Sequence, residues 1–401
     1  LHIFLRFCAV IYLSCSLLAG CQPQTSEFVS QFEHSQGGSF AATVSNSGQY
    51  ALVSSLYHGV SLWDLTSNGL KYNWYQTPKE QTFSLFDDKT ENSQADNNFV
   101  FATAISNDDS HALLADKHNF SLWSIKTGEN IGYWQVRKSK VIYRTKTING
   151  INKTLSIYDV VDDKKCIEPS TQKNEQCSIV GKIRSVAVSN QGKHLVIGKS
   201  NGHVVHINTV TGRRIEFLGH QQVLLDEQKK PFHINNAINS VAISPNGLYV
   251  LSGSSDQTAY LWNTETGQVV YKFQHHKRVV QVTLDPQARF AFTADTGKQA
   301  SIWDLKTGKT ISQLQYVNRQ EVFSSARFSN NGKYLVTGAP TRQLTLWDVK
   351  SGKQLKQWLV SPRKNSRPAS AVVYSAAFIN NDTQIISESS SGLSETWDIK
   401  Q

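Results

Sequence analysis

The sequence predicts an all-β protein built as a seven-bladed β-propeller, each blade a four-stranded antiparallel sheet. Two recurring phrases and the lack of a helical period carry that expectation. The first phrase surrounds a tryptophan: SLWDLTSNG at Trp63, SLWSIKTG at Trp123, YLWNTETG at Trp262, SIWDLKTG at Trp303, TLWDVKSG at Trp347 and ETWDIK at Trp397. In a seventh copy, VVHINTVTG, Ile207 holds the same place. The second phrase stands roughly 20 residues upstream: ATVSNSG, TAISNDD, VAVSNQG, VAISPNG, VTLDPQA, ARFSNNG and AAFINND. At 401 residues, length alone would suggest two or three domains. The repetition overrides that prior, because one unit cannot bury its own apolar faces and must stack on a neighbour.

Each unit resolves into strands in order, called a to d from the axis outward. The upstream phrase supplies strand a. An apolar run such as YALVSS, YVLSGS or YLVTGA supplies strand b, and the tryptophan phrase supplies strand c. Asn-Gly, Pro-Asn-Gly and Thr-Gly punctuate them, placing glycine where a turn demands positive φ. Near-continuous apolar runs suit sheets covered on both faces. No segment after residue 20 shows a convincing helical period.

These units resemble the WD-repeat β-propeller family, over roughly Phe28 to Gln401. The fourth, INSVAISPNGLYVLSGSSDQTAYLWNTETG, fits best. The resemblance implies that Asp256, six residues before Trp262, bonds within its blade from the turn between strands b and c. It also implies a structural place for His275, ahead of VVQVTLD. Blade 3 lacks the tryptophan, and blades 1, 6 and 7 lack the turn aspartate, which puts that bonding in doubt there but not the fold. The last unit ends at Gln401 without a fourth strand, and Phe28–Phe32 belongs to no unit. Pairing the two would close the ring and remove an exposed edge.

The long connections are all d-to-a: about 76–98, 136–182, 219–236 and 360–369. They share one face, the top, with the b-to-c turns; the a-to-b and c-to-d turns stay short. Elaborated loops on one face suggest where binding evolved. The chain is basic, with 41 Lys and Arg against 31 Asp and Glu and a formal net charge of +10. Residues 136–182 hold Arg137, Lys138, Lys140 and Arg144. His276, Lys277 and Arg278, and Arg363, Lys364 and Arg367, add to the same face. Residues 76–98 form an acidic corner with Glu80, Asp87, Asp88, Glu91 and Asp96. Such a face suits an anionic partner or surface: an acidic envelope protein, lipid headgroups or polysaccharide. The 136–182 insertion reads as a hairpin around Asn149-Gly150. An eighth, degenerate blade with Tyr158 in the tryptophan place is the alternative, though it leaves no room for a strand a.

The first 20 residues read as a secretory signal: Arg6, an apolar run from Phe7 to Ala19, then small residues. Leu18-Ala19-Gly20-Cys21 resembles the lipobox of bacterial lipoproteins. That implies cleavage before Cys21, acylation of Cys21, and a lipidated tether over 21–27 ahead of the propeller at 28–401. An ordinary cleaved signal is the alternative. Gln22 after Cys21 favours the outer membrane, on its periplasmic side, in a cell with two membranes. Cys166 and Cys177 then remain in an oxidising compartment and read as a disulfide, or as two free thiols.

Enzyme signatures are weak. Gly198-Lys199-Ser200-Asn201-Gly202 matches G-x-S-x-G, but it falls where a turn between strands is expected rather than a strand-to-helix elbow. His203 and His206 are three apart on a strand and point to opposite faces. No metal or cofactor signature appears. The sequence therefore reads as a monomeric, membrane-anchored, non-enzymatic interaction platform without a cofactor and without nucleic acid as a partner. Two alternatives stand beside it: an envelope hydrolase or lyase with its site at the channel mouth, and a factor assembling outer-membrane proteins, by architectural analogy only.

Overall fold

The computed structural model describes residues 27–55, 59–75, 99–136, 139–148, 151–159, 175–178, 181–225, 231–316, 322–367 and 369–400; within 139–148, 151–159, 175–178, 222–225 and 231–235 it describes the backbone. The expected leader, Cys21, Arg137, Lys138, Cys166 and the acidic 76–98 segment lie outside the described residues.

Seven four-stranded antiparallel sheets form the propeller. Their innermost strands a are Ser39–Val44, Ala102–Ile105, Ile183–Val188, Ile238–Ile243, Val279–Leu284, Ser325–Phe328 and Val373–Ile379, for blades 1 to 7. Blades 1 to 6 take strands a to d from one stretch of chain. Blade 7 takes its outer strand from Ser30–Glu33, in register Ser30↔Thr396 to Glu33↔Leu393. The expected closure is therefore present, with its strand starting at Ser30 rather than Phe28. Val29 N–H already donates to the Thr396 carbonyl at 2.7 Å.

Packing between blades explains the apolar runs. Strand b is buried on both sides, as in Tyr249–Ser254, where all but the first residue are inaccessible. One core cluster joins Val196, Val204 and Phe217 of blade 3 to Ile238, Val241, Val250 and Trp262 of blade 4. In blades 4 and 6 the close approach of the next blade requires glycine in strand b. A Cβ on Gly253 would stand 2.6 Å from Val279 Cγ1 of the next blade, and one on Gly338 would stand 2.5 Å from Val373 Cγ1.

Outside the blades, Ser139–Ile148 pairs antiparallel with Ile151–Asp159 and, on its other edge, with Glu175–Ser178. Among the described residues this sheet has three strands, with Ser139–Ile148 in the centre. It also sets the backbone of Cys177 opposite that of Lys140. A short hairpin, Gln221–Leu225 with Pro231–Asn235, fills the blade 3-to-4 connection.

Candidate interaction site

The tryptophan of strand c is held by a hydroxyl ten residues earlier, on strand b. Trp262 Nε1 donates to Ser252 Oγ at 2.9 Å, Trp303 to Thr293 at 2.8 Å, Trp347 to Thr337 at 2.8 Å and Trp397 to Ser387 at 3.0 Å. In blade 1 that position is Val53, and Trp63 Nε1 finds no acceptor among the described residues. In blade 2 it is Leu113, and Trp123 turns to Ser121 at 2.8 Å.

Blade 4 extends the bond into a chain. His220 sits in the connection before strand a, with Nε2 at 2.8 Å from Ser252 Oγ and Nδ1 at 2.8 Å from Asp256 Oδ2. Asp256 also accepts from the Thr258 backbone and hydroxyl, at 2.9 and 2.6 Å. Hydrogen bonds from His220 and Thr258 hold its carboxyl below the usual range, although burial works against them. Asp256 thus bonds Thr258 of its own turn and His220 of the preceding connection, and Ser252 joins the chain from strand b. The sequence signal for His220 was present in Gly219-His220: a Cβ on Gly219 would stand 2.4 Å from Trp262 Cη2, so only glycine lets the histidine reach inward. Blade 5 repeats the arrangement, with His275 Nε2 at 2.9 Å from Thr293 Oγ1 and Nδ1 at 3.7 Å from Asp295.

The G-x-S-x-G stretch is the turn between strands b and c of blade 3, Ser200 N–H donating to Lys182 O at 2.8 Å. His203 bonds Glu216 at 3.3 Å, whereas His206 stacks on His194 with nitrogens 2.9 Å apart. No group of three or more metal-ligating side chains occurs among the described residues.

Burial, with His194 and Arg213 nearby, pushes the His206 imidazole down to about 4, and burial pushes His275 down as well. An unfolded histidine titrates near 6.5. Between pH 6.5 and about 4 the unfolded chain binds protons that the folded chain refuses, so stability falls as pH falls through that window. The melting temperature should therefore drop from pH 7 to pH 4.5, and His206→Leu should flatten the drop. A profile with the same slope in that variant would clear His206 of the effect.

The top-face residues His276, Lys277, Arg278, Arg363, Lys364 and Arg367 are exposed. Arg363 is partly committed, its Nη1 donating to Gly37 O at 2.9 Å. Lys140 and Arg144 lie on the central strand of the three-stranded sheet.

The top also holds features that the sequence did not disclose. Strand a carries a bulge near its start in blades 1, 3, 4, 5 and 7. The skipped residues include Phe40, Arg184, Asn239 and Tyr374. These four line the central channel, as do Phe101 and Ser324 at the matching places in blades 2 and 6. A bulge re-aims a side chain in this way. Adjacent blades 7, 1 and 2 thus set Tyr374, Phe40 and Phe101 along one arc of the upper mouth. Phe40 and Phe101 are 39% and 41% exposed, and Phe99 packs between them at centroid distances of 5.1 and 6.2 Å. Lys117 Nζ lies 5.6 Å from the Phe101 ring centroid, and the Lys117 carbonyl accepts from Ile183 N–H at 2.8 Å, next to exposed Lys182 and Arg184.

Residues 228–263 match the family model "WD domain, G-beta repeat". Over 42 residues the chain is 43% identical to striatin of Homo sapiens, Mus musculus and Rattus norvegicus, a match covering 10% of this chain and 5% of each striatin. Seven four-stranded blades, tryptophans held by serine or threonine of strand b in blades 4 to 7, and one repeat that the family model matches support reading this chain as a WD-repeat β-propeller.

Proposed function

We propose that this propeller is a protein-interaction scaffold of the bacterial cell envelope, anchored through an acylated Cys21, which takes an anionic partner on its top face and performs no catalysis. The observation that carries the reading is the upper mouth. Solvent-facing Phe40 and Phe101 adjoin exposed Lys117, Lys182 and Arg184, with further cations at Arg278, Arg363 and Arg367. Aromatic side chains supply large contact area for little entropy, and arginine forks grip carboxylates with paired donors. A ring of charge around an aromatic centre speeds encounter with an acidic partner and fixes its orientation. The lipid anchor rests on LLAGC, and two or more acyl chains hold a protein stably on a bilayer.

Crosslinked capture from intact cells tests this. Wild type should retain an acidic envelope protein, less so as salt rises. Phe101→Ser should weaken capture at every salt concentration. Arg278→Glu, Arg363→Glu and Arg367→Glu together should weaken it most at low salt, with unchanged melting. Lys306→Glu with Lys350→Glu, on the opposite face, should leave it intact. Unchanged partners and salt dependence in the triple variant would refute the electrostatic part; loss in the lower-face variant would refute the face. Cys21→Ser should release the protein from membranes, and equal partitioning would refute the anchor.

A further inference from the structure

The channel holds a cation that the fold leaves largely unanswered. Arg327, on strand a of blade 6, extends across the lower channel, where its Nη2 donates to the Val44 carbonyl of blade 1 at 2.8 Å. Among the described residues this is its sole hydrogen bond, although a guanidinium carries five donors. Its nearest charged influence is Asp109, which accepts from the Ser47 hydroxyl through Oδ2, has no hydrogen-bond partner for Oδ1 among the described residues, and is pushed up by burial. The pair does not approach as an ion pair. Burial pushes the Arg327 guanidinium down to about 10, which leaves it charged at neutral pH. The Arg327 side chain is half-buried and faces the channel.

The surroundings reinforce that charge. The channel has a volume of about 390 Å³. Its lining aspartate, Asp285, is spent on Arg289 through two bonds of 2.8 Å. Arg184 stands at the upper mouth, and Thr283 and Tyr374 add hydroxyls to the wall. Below, the Asn46 amide donates to Asn330 at 3.0 Å, joining the turns of blades 1 and 6 at the lower mouth. The volume lies at the small end of ligand sites, roughly 300–1,000 Å³. The seven strands a enclose it too closely for a folded partner to enter.

We propose that the channel is a binding cup for a small molecule bearing a carboxylate or phosphate, which enters past Arg184 and rests its anionic end on Arg327. The cup shares Arg184 with the protein-binding surface at its mouth, but Arg327, on which the anion would rest, is no part of that surface, so the proposal does not depend on that reading. A guanidinium with free coplanar donors recognises either anion in bidentate fashion, and the aspartate that lines the channel, Asp285, is already paired with Arg289.

Calorimetric titration of the full chain at low ionic strength tests this, with citrate and inorganic phosphate as probes. One site should appear for at least one probe, and the tighter of the two identifies the anion class. Arg327→Lys keeps the charge but loses the fork, and should weaken binding about tenfold. Arg327→Gln should give no measurable heat. Arg184→Gln changes an exposed residue without a hydrogen-bond partner among the described residues, and should weaken binding several-fold at an unchanged melting temperature; it keeps the test decisive if Arg327→Gln fails to fold. The tighter probe should also raise the melting temperature of wild type more than that of Arg327→Lys. Binding undiminished in the Arg327 and Arg184 variants, or no heat from either probe at about 10 mM, would overturn the assignment.

Discussion

Deleting residues 22–33 should destabilise the whole ring, not one blade, by on the order of 3–5 kcal/mol, and should promote aggregation. The segment supplies the outer strand of blade 7, so its loss bares Leu393–Asp398 as an unpaired edge. It also strips partners from buried charges. Glu395 is 1% exposed and accepts from Gln31 Nε2 at 2.8 Å; Glu388 is fully buried and lies 2.8 Å from His34 Nδ1, just past the deletion. His34 stacks on Trp63 of blade 1 at 4.6 Å, so displacing it disturbs both sides of the seam. Phe28 would no longer meet the edge of Trp397, at 6.1 Å. Because a propeller shares its core between neighbours, a gap at the seam loosens blades 6, 7 and 1 together. Thermal unfolding should remain a single transition at a lower temperature, with more light scattering. An unchanged melting temperature would rule out this account of closure.

Trp347→Ala should cost about 3–5 kcal/mol, the usual toll of a large aromatic removed from a sealed core. Trp347 is fully buried among Phe292, Phe323, Phe328, Leu335 and Val349, which belong to blades 5 and 6 and the connections beside them. The cavity would thus open between two blades that cannot collapse independently. Phenylalanine separates packing from hydrogen bonding. Trp347→Phe would also strand the Thr337 hydroxyl, adding about 1–3 kcal/mol for a buried group left without its partner. Trp63→Phe should be milder, because the Trp63 Nε1 has no acceptor among the described residues. Denaturant unfolding of the two phenylalanine variants should rank them in that order; the reverse order would show that the indole hydrogen bond does not set the difference.

The ring was legible because its signals are local and repeated. Strand b, its turn and the strand c tryptophan recur at fixed spacing, so seven weak matches reinforce one another. The closing strand was legible because Trp397 to Gln401 left one blade a strand short. What stayed hidden depends on pairs far apart in sequence or on a change of register. His220 meets Asp256 across 36 positions, and the aspartate was read without its histidine. The aromatic arc was missed for a different reason. Alternation along a strand assigns each residue to a face with a period of two, and one extra residue resets that parity. Phe40, Arg184 and Tyr374 occupy those extra places, so the pattern that revealed the strands gave no hint that they turn toward the axis. Arg327 had no marker at all, since ARFSNNG looks like any other strand a with one charge on it.

The seam also fixes the order of events as the chain takes shape and how the finished ring carries force. Gln31 and Glu395 are 364 positions apart, so the pair that locks the ring waits until almost the whole chain has emerged. Contacts between distant positions form slowly because a long loop must close first. Six blades can assemble while the first strand remains unclaimed. Once the ring is shut, tension on an N-terminal tether falls first on Ser30–Glu33 and on its ladder of bonds to Leu393–Thr396. The same few residues act as the fastener of the fold and as its mechanical fuse.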